Sequence, residues 1–155
     1  MKRILQLVAA LAISFSAAAI GSLASVETIP TWYAELEKPP LNPPNFLFGP
    51  VWTVLYALIG VSLYLYWTAK GESKWSGYVA FGVQMVLNAL WSVVFFGLQM
   101  PLLGVWVIAL LDIMVIVTII LFYERSKLAA YLLVPYLLWI SFATYLSVSI
   151  WLLNS

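Results

Sequence analysis

Charge is confined to a few places in this chain, and the intervals between those places are long and apolar. The charged residues are Lys2 and Arg3; Glu27, Glu35, Glu37 and Lys38; Lys70, Glu72 and Lys74; Asp112; and Glu124, Arg125 and Lys127. A helix crossing a bilayer needs about 20 mostly apolar residues. The stretch 4–24 supplies one run and 50–69 a second. Trp75 to Tyr123 is too long for one span, and Gly97-Leu98-Gln99-Met100-Pro101 divides it into 76–96 and 102–123. A fifth run covers 128–153. None of these runs shows the alternation of a lipid-facing barrel strand. The expected fold is therefore all-α, an integral membrane bundle of five transmembrane helices forming one domain over residues 1–155, with a polar outer loop at 25–49.

Composition agrees and narrows the chemistry. The chain is 65% hydrophobic and 8% charged, with a mean hydropathy of +1.03. A soluble domain carries about 25% charged residues, and a chain this short cannot bury so much apolar surface from water. Lipid is the expected solvent and the first expected partner. A net charge of +1 with no basic stripe argues against nucleic acid. The absence of Cys and His removes disulfides, thiolate nucleophiles, zinc sites and the commonest proton shuttle, so no metal site is expected.

Basic residues also orient the chain. With the N-terminus inside, Lys2, Arg3, Lys70, Lys74, Arg125 and Lys127 all fall on the inner side, and only Lys38 falls outside. This asymmetry favours five spans with an outer C-terminus, in a membrane expected to be the cell membrane. Trp67, Trp75, Tyr78, Tyr123 and Trp151 sit near predicted ends, where aromatic rings favour the headgroup layer. The first run has two readings. Lys2-Arg3 and the small residues Ser16-Ala17-Ala18-Ala19 imitate a cleaved signal. Against this, Ala10, Ser14, Ala18 and Ser22 recur four apart, as in a packed membrane helix.

The outer loop holds Trp32-Tyr33, Lys38-Pro39-Pro40 and Asn42-Pro43-Pro44. Its prolines fix φ and extend the residues before them, so the loop is stiff. It reads either as a rigid connector or as a lid over a cavity between helix ends. Gly49-Pro50 makes a helix start, followed by Trp52, Tyr56 and Ile59. Asn88, Trp91, Ser92 and Phe95 share one face of the third span, and Tyr136, Trp139, Ala143 and Leu146 share one face of the fifth. Three faces that pair flat rings with small or polar residues suit a large planar ligand. Packing and interfacial belts account for most membrane tryptophans, but Trp91 and Trp139 lie too deep for a belt. Asn88 needs a hydrogen-bond partner at that depth, from a ligand or from another helix. Asp112 is the one acidic residue inside a span, either functional or bonded to a neighbouring helix. Pro135 is expected to disturb the fifth helix near its start.

Four of these stretches, in order and in register, resemble the TspO/translocator family. They are Trp32-Tyr33-x-x-Leu36-x-Lys38-Pro39 with Asn42-Pro43-Pro44; Trp52-x-x-Leu55-Tyr56; Asn88-x-x-Trp91-x-x-x-Phe95-Phe96-Gly97; and Pro135-Tyr136-x-x-Trp139-x-x-Phe142-Ala143. The resemblance runs from about residue 30 to 147. It implies a five-helix fold, often a homodimer, with a ligand cavity capped by the first loop. It implies retention of the first span. The implied ligands are porphyrins such as protoporphyrin IX, haem, sterols and benzodiazepine-type drugs, with no cofactor required. Carried over by motif, the ligand-binding residues are Tyr33, Trp52, Asn88, Trp91, Ser92, Trp139 and Ala143.

Light-dependent porphyrin breakdown by some bacterial members implies catalytic roles for Trp52 and Trp139 if the chemistry is photochemical. Three functions follow from the resemblance: a porphyrin-binding receptor or sensor, a photo-oxidative enzyme, and a tetrapyrrole or sterol transporter. Five spans leave no equal halves for an alternating-access repeat. The sterol motif also lacks its basic residue, since none follows Tyr145. With no His in the chain, free-base porphyrin is favoured over haem.

Overall fold

A computed structural model describes residues 1–72 and 75–155. Lys74, one of the basic residues used above to orient the chain, lies outside the described residues. Six helices carry the architecture: α1 (Lys2–Ser25), α2 (Asn45–Thr68), α3 (Trp75–Ser92), α4 (Pro101–Tyr123), α5 (Lys127–Leu132) and α6 (Val134–Leu153). Among the described residues there is no strand, and five helical stretches are long and apolar enough to cross a membrane, with α5 and α6 counted as one. The protein is an all-α, multi-pass integral membrane protein. Its outward faces fit that solvent, since Leu103, Leu110, Ile113 and Ile120 of α4 point away from the bundle.

Small residues set how closely the helices approach. On α1 the buried stripe is Ala10, Ser14, Ala17 and Gly21. Gly60 of α2 lies so near α1 that an added Cβ would stand 2.7 Å from Leu11 Cδ2 and 3.0 Å from its Cα. Four residues along α1, the Ser14 hydroxyl donates to the Tyr56 carbonyl of α2 at 2.6 Å. Pairing of 10 with 60 and of 14 with 56 makes α1 and α2 antiparallel, so Lys2 and Arg3 share an end of the bundle with Lys70. Arg125 joins that end directly through bonds to the carbonyls that close α2. This is the basic end. The opposite, loop end carries residues 26–44 and the C-terminus of α6.

At proline, one helix boundary differs from the sequence expectation and one expected disturbance is found. The second span begins at Asn45, not at Pro50, which lies inside α2. Pro50 is near enough to the N-terminus to be tolerated, although it leaves the Phe46 carbonyl without its usual intrahelical donor. The fifth span breaks at Leu133, ahead of Pro135. There the Leu133 N–H turns back to the Ala130 carbonyl at 3.1 Å before α6 begins. Helix α3 also widens in its last turn into a π-helical segment, Val93–Gly97. The chain then reverses through Gln99, whose φ of 56° is left-handed, into Pro101. Widened turns of this kind often mark functional sites.

Candidate functional site

At the loop end the helices part around a cavity of about 390 Å³, within the range of roughly 300–1,000 Å³ typical of small-molecule sites. Each wall comes from a different element. Helix α1 contributes Ala18 and Gly21, α2 contributes Phe48, Trp52 and Tyr56, and α3 contributes Trp91, Ser92 and Phe95. Helix α6 supplies Trp139, Phe142, Ala143 and Ser147, while Tyr33 comes from the loop. Among the described residues, no charged side chain is on the wall. Of the residues singled out from sequence, the structure brings together Tyr33, Trp52, Trp91, Ser92, Trp139 and Ala143.

Asn88 stands behind the wall, not on it. Tyr56 Oη donates to Asn88 Oδ1. Asn88 Nδ2 donates to Tyr136 Oη at 2.9 Å, and Tyr136 Oη donates to Gln84 Oε1 at 2.9 Å. All four side chains are buried. The network joins α2, α3 and α6 beneath the cavity, and Tyr56 is its member on the wall. A buried amide with both ends satisfied fixes the floor in one arrangement. Trp52 rests on that floor, its ring centroid 5.4 Å from Tyr56 and 6.3 Å from Tyr136. Gln84 was not anticipated from sequence; its place on the Asn88 face, four residues earlier, was the available signal.

Loop residues close the top of the cavity. The segment Ile29–Tyr33 forms a π-helical turn and presses Trp32 against Phe95 and Tyr33 against Phe96, with ring centroids 6.0 and 5.4 Å apart. Tyr33 Oη donates to Asn42 Oδ1 at 3.1 Å. Lys38 Nζ sits 4.7 Å from the Tyr33 ring centroid and donates to the Leu36 carbonyl at 3.0 Å. Burial raises the Tyr33 pKa to about 12, so the phenol stays neutral. A reciprocal pair fastens the far side of the loop, in which the Glu37 N–H donates to Asn154 Oδ1 at 3.0 Å and Asn154 Nδ2 returns to the Glu37 carbonyl at 2.9 Å. The loop is thus stiff connector and roof at once. Asn154 went unnoticed in the sequence because nothing local ties it to a residue 117 positions away.

Asp112 lies apart from the cavity. Its Oδ2 accepts from the Thr144 hydroxyl of α6 at 2.6 Å, which makes it a link between α4 and α6. At the helix ends, Trp67, Trp75 and Tyr123 are exposed, as belt residues should be.

Fold and cavity together define a polytopic helical membrane protein with an aromatic, uncharged pocket roofed by its first loop. Comparison with known proteins gives that class its family. Residues 8–152 match the TspO/MBR family. The tryptophan-rich protein TspO of Archaeoglobus fulgidus is 47% identical over 155 residues, covering 100% of this chain and 98% of the relative. The protein of the same name from Chlorobaculum tepidum is 41% identical, covering 99% and 98%. The human translocator protein is 38% identical over 123 residues, covering 77% of this chain and 73% of its own. The chain belongs to the TspO/MBR family, whose membership is consistent with a sensor or receptor role.

Proposed function

We propose that this protein is a membrane receptor or sensor that binds porphyrin-type tetrapyrroles, protoporphyrin IX foremost, in the roofed cavity, and so influences tetrapyrrole metabolism or a stress response. The observation that carries the reading is the wall itself: three indoles, those of Trp52, Trp91 and Trp139, converge with Tyr33 and Phe48 on one uncharged space. Flat π-surfaces favour a flat π-ligand, and an apolar wall favours a macrocycle whose charged substituents remain at the mouth. No cofactor is required for binding. The same reading sets the basic end inside the cell membrane and pairs two copies as a homodimer, following the resemblance.

Quenching of tryptophan fluorescence by protoporphyrin IX, in the dark and in detergent, tests the binding. Saturable quenching that weakens about tenfold in Trp139→Phe is the expected result, an effect of the size of a lost aromatic contact and its packing. Linear, non-saturating quenching equal in both proteins would remove porphyrin from the site. The placing of Trp52 and Trp139 on one cavity favours a second reading, in which light-excited porphyrin takes an electron from a neighbouring indole. Dissolved oxygen then adds to the reduced macrocycle and opens it, and the indole radical recovers its electron from the oxygenated product, so that oxygen is the oxidant consumed. Loss of the porphyrin absorbance at many turnovers per protein, abolished in Trp52→Phe and Trp139→Phe while dark binding persists, would distinguish it from binding alone.

A further inference from the structure

Among the described residues, the hydroxyls buried in the helices all find partners but one. Ser14 donates to the Tyr56 carbonyl, Ser62 to the Ala129 carbonyl at 2.6 Å, and Thr118 to the Met114 carbonyl one turn back. Ser147, 1% exposed, has no hydrogen-bond partner among the described residues. It does not bond the carbonyl of Ala143 one turn back, although Ser141 and Thr144 beside it bond theirs in that way. Trp91 Nε1 shares this condition. The side chain is 9% exposed and its N–H has no partner among the described residues. Both residues line the cavity, Trp91 from α3 and Ser147 from α6. Buried donors are ordinarily satisfied, and an unsatisfied one calls for an explanation. Two of them on the walls of one pocket share a single explanation.

We infer that Trp91 Nε1–H and the Ser147 hydroxyl are the polar reading heads of the cavity, and that its ligand is a flat apolar molecule carrying uncharged hydrogen-bond acceptors. This rests on the cavity being the ligand site. An indole N–H can only donate, so the group it meets is an acceptor: a carbonyl oxygen, an ether oxygen or an imine-type ring nitrogen. The acceptor is uncharged because no cationic side chain among the described residues lines the wall, and a buried carboxylate without a cation is strongly disfavoured. On a tetrapyrrole this selects the ring nitrogens and neutral carbonyl substituents for the interior, and leaves the acid side chains at the mouth. Trp91 and Ser147 therefore set specificity, while the aromatic walls supply affinity without discriminating among flat ligands.

Anthraquinone and anthracene test this, being planar tricycles of nearly the same outline that differ in two carbonyl groups. With the full-length protein in nanodiscs, anthraquinone is expected to bind about tenfold more tightly than anthracene, as net hydrogen bonds of ordinary strength dictate. Trp91→Phe and Ser147→Ala are each expected to reduce that preference about threefold. Thermal unfolding midpoints close to the parent's certify that the variants fold. Affinity lost with the smaller ring of Trp91→Phe is lost by both probes alike, so the preference is read as the ratio of the two. The carbonyl stretch of bound anthraquinone should move to lower frequency in the parent protein and return part of the way in each variant. Equal affinity for the two probes, or a preference that survives in both variants, would overturn the pairing while leaving the cavity as a binding site. Binding of neither probe would overturn the cavity reading and this inference together. Tighter binding of anthraquinone-2-carboxylate than of anthraquinone would refute the requirement for an uncharged ligand.

Discussion

The two ends of this bundle are built by opposite rules. At the basic end the aromatics are stacked on one another: the Tyr66 and Phe122 ring centroids lie 4.2 Å apart with the rings nearly parallel, and Phe81 lies nearly parallel to Phe122 at 5.9 Å. All three are buried, Tyr66 at 1% and Phe122 at 0% exposure. Arg125 closes this end, donating from Nε to the Tyr66 carbonyl and from Nη1 to the Gly71 carbonyl, each at 2.6 Å, and from Nη2 to the Ala69 carbonyl. One guanidinium thus satisfies the carbonyls that a helix C-terminus leaves open. At the loop end the rings of Trp52, Trp91 and Trp139 surround space instead of filling it, and the roof hangs on a few hydrogen bonds. The difference teaches that one aromatic-rich composition can serve as mortar at one end and as a binding surface at the other. What separates the uses is whether small residues and a capping charge let the helices close.

Substitutions at the closed end should reduce stability and leave the cavity's affinity alone, and substitutions at the open end should do the reverse. The largest effect is expected from Arg125→Met. It strips the charged cap from α2 and should cost about 3 kcal/mol, read as a fall in the thermal unfolding midpoint in detergent with protoporphyrin IX affinity retained. Next comes Gly77→Ala. Its Cβ would stand 2.3 Å from Tyr66 Oη and 2.5 Å from Cζ, and Tyr66 is held in the stack, so overpacking of about 2 kcal/mol follows. A neutral result would show that the closed end yields more than its packing implies.

At the open end the effects on stability are smaller. Tyr33→Phe removes the bond to Asn42 and should cost about 1 kcal/mol, while loosening the roof enough to speed ligand release. Alkaline pH reports on the same group. An unfolded Tyr titrates near 10.0, whereas burial holds Tyr33 in the folded protein to about 12. Between those values the unfolded chain has given up a proton that the folded chain keeps, so stability falls as pH rises. The contribution of Tyr33 is complete below pH 10 and is lost progressively towards pH 12. Phenolate absorbance during an alkaline titration should therefore show one late-titrating tyrosine fewer in Tyr33→Phe. If that variant titrates like the parent, the roof is not shut over Tyr33.

The spacing of charges and the length of the apolar runs determined the five membrane-crossing stretches, because lipid forces backbone polar groups into helix and makes ionisable side chains rare between the ends, Asp112 being the exception here. The aromatic faces of the third and fifth spans were legible as faces, since helical periodicity alone brings residues three and four apart together. Nothing in a one-dimensional pattern separates a side chain that lines a cavity from one that stands behind it. Asn88 and Trp91 share a helix face, yet two tyrosines from other helices satisfy the amide below the floor, while the indole N–H of the cavity-lining Trp91 is left without a partner among the described residues. Likewise Arg125 reads in sequence as one of several inner-side charges, and only the docking of its helix end onto α2 makes it a cap. Local periodicity and the solvent determine which elements form. Which residues are spent on one another and which are left for a ligand depends on contacts between distant segments, and the tertiary structure alone decided those.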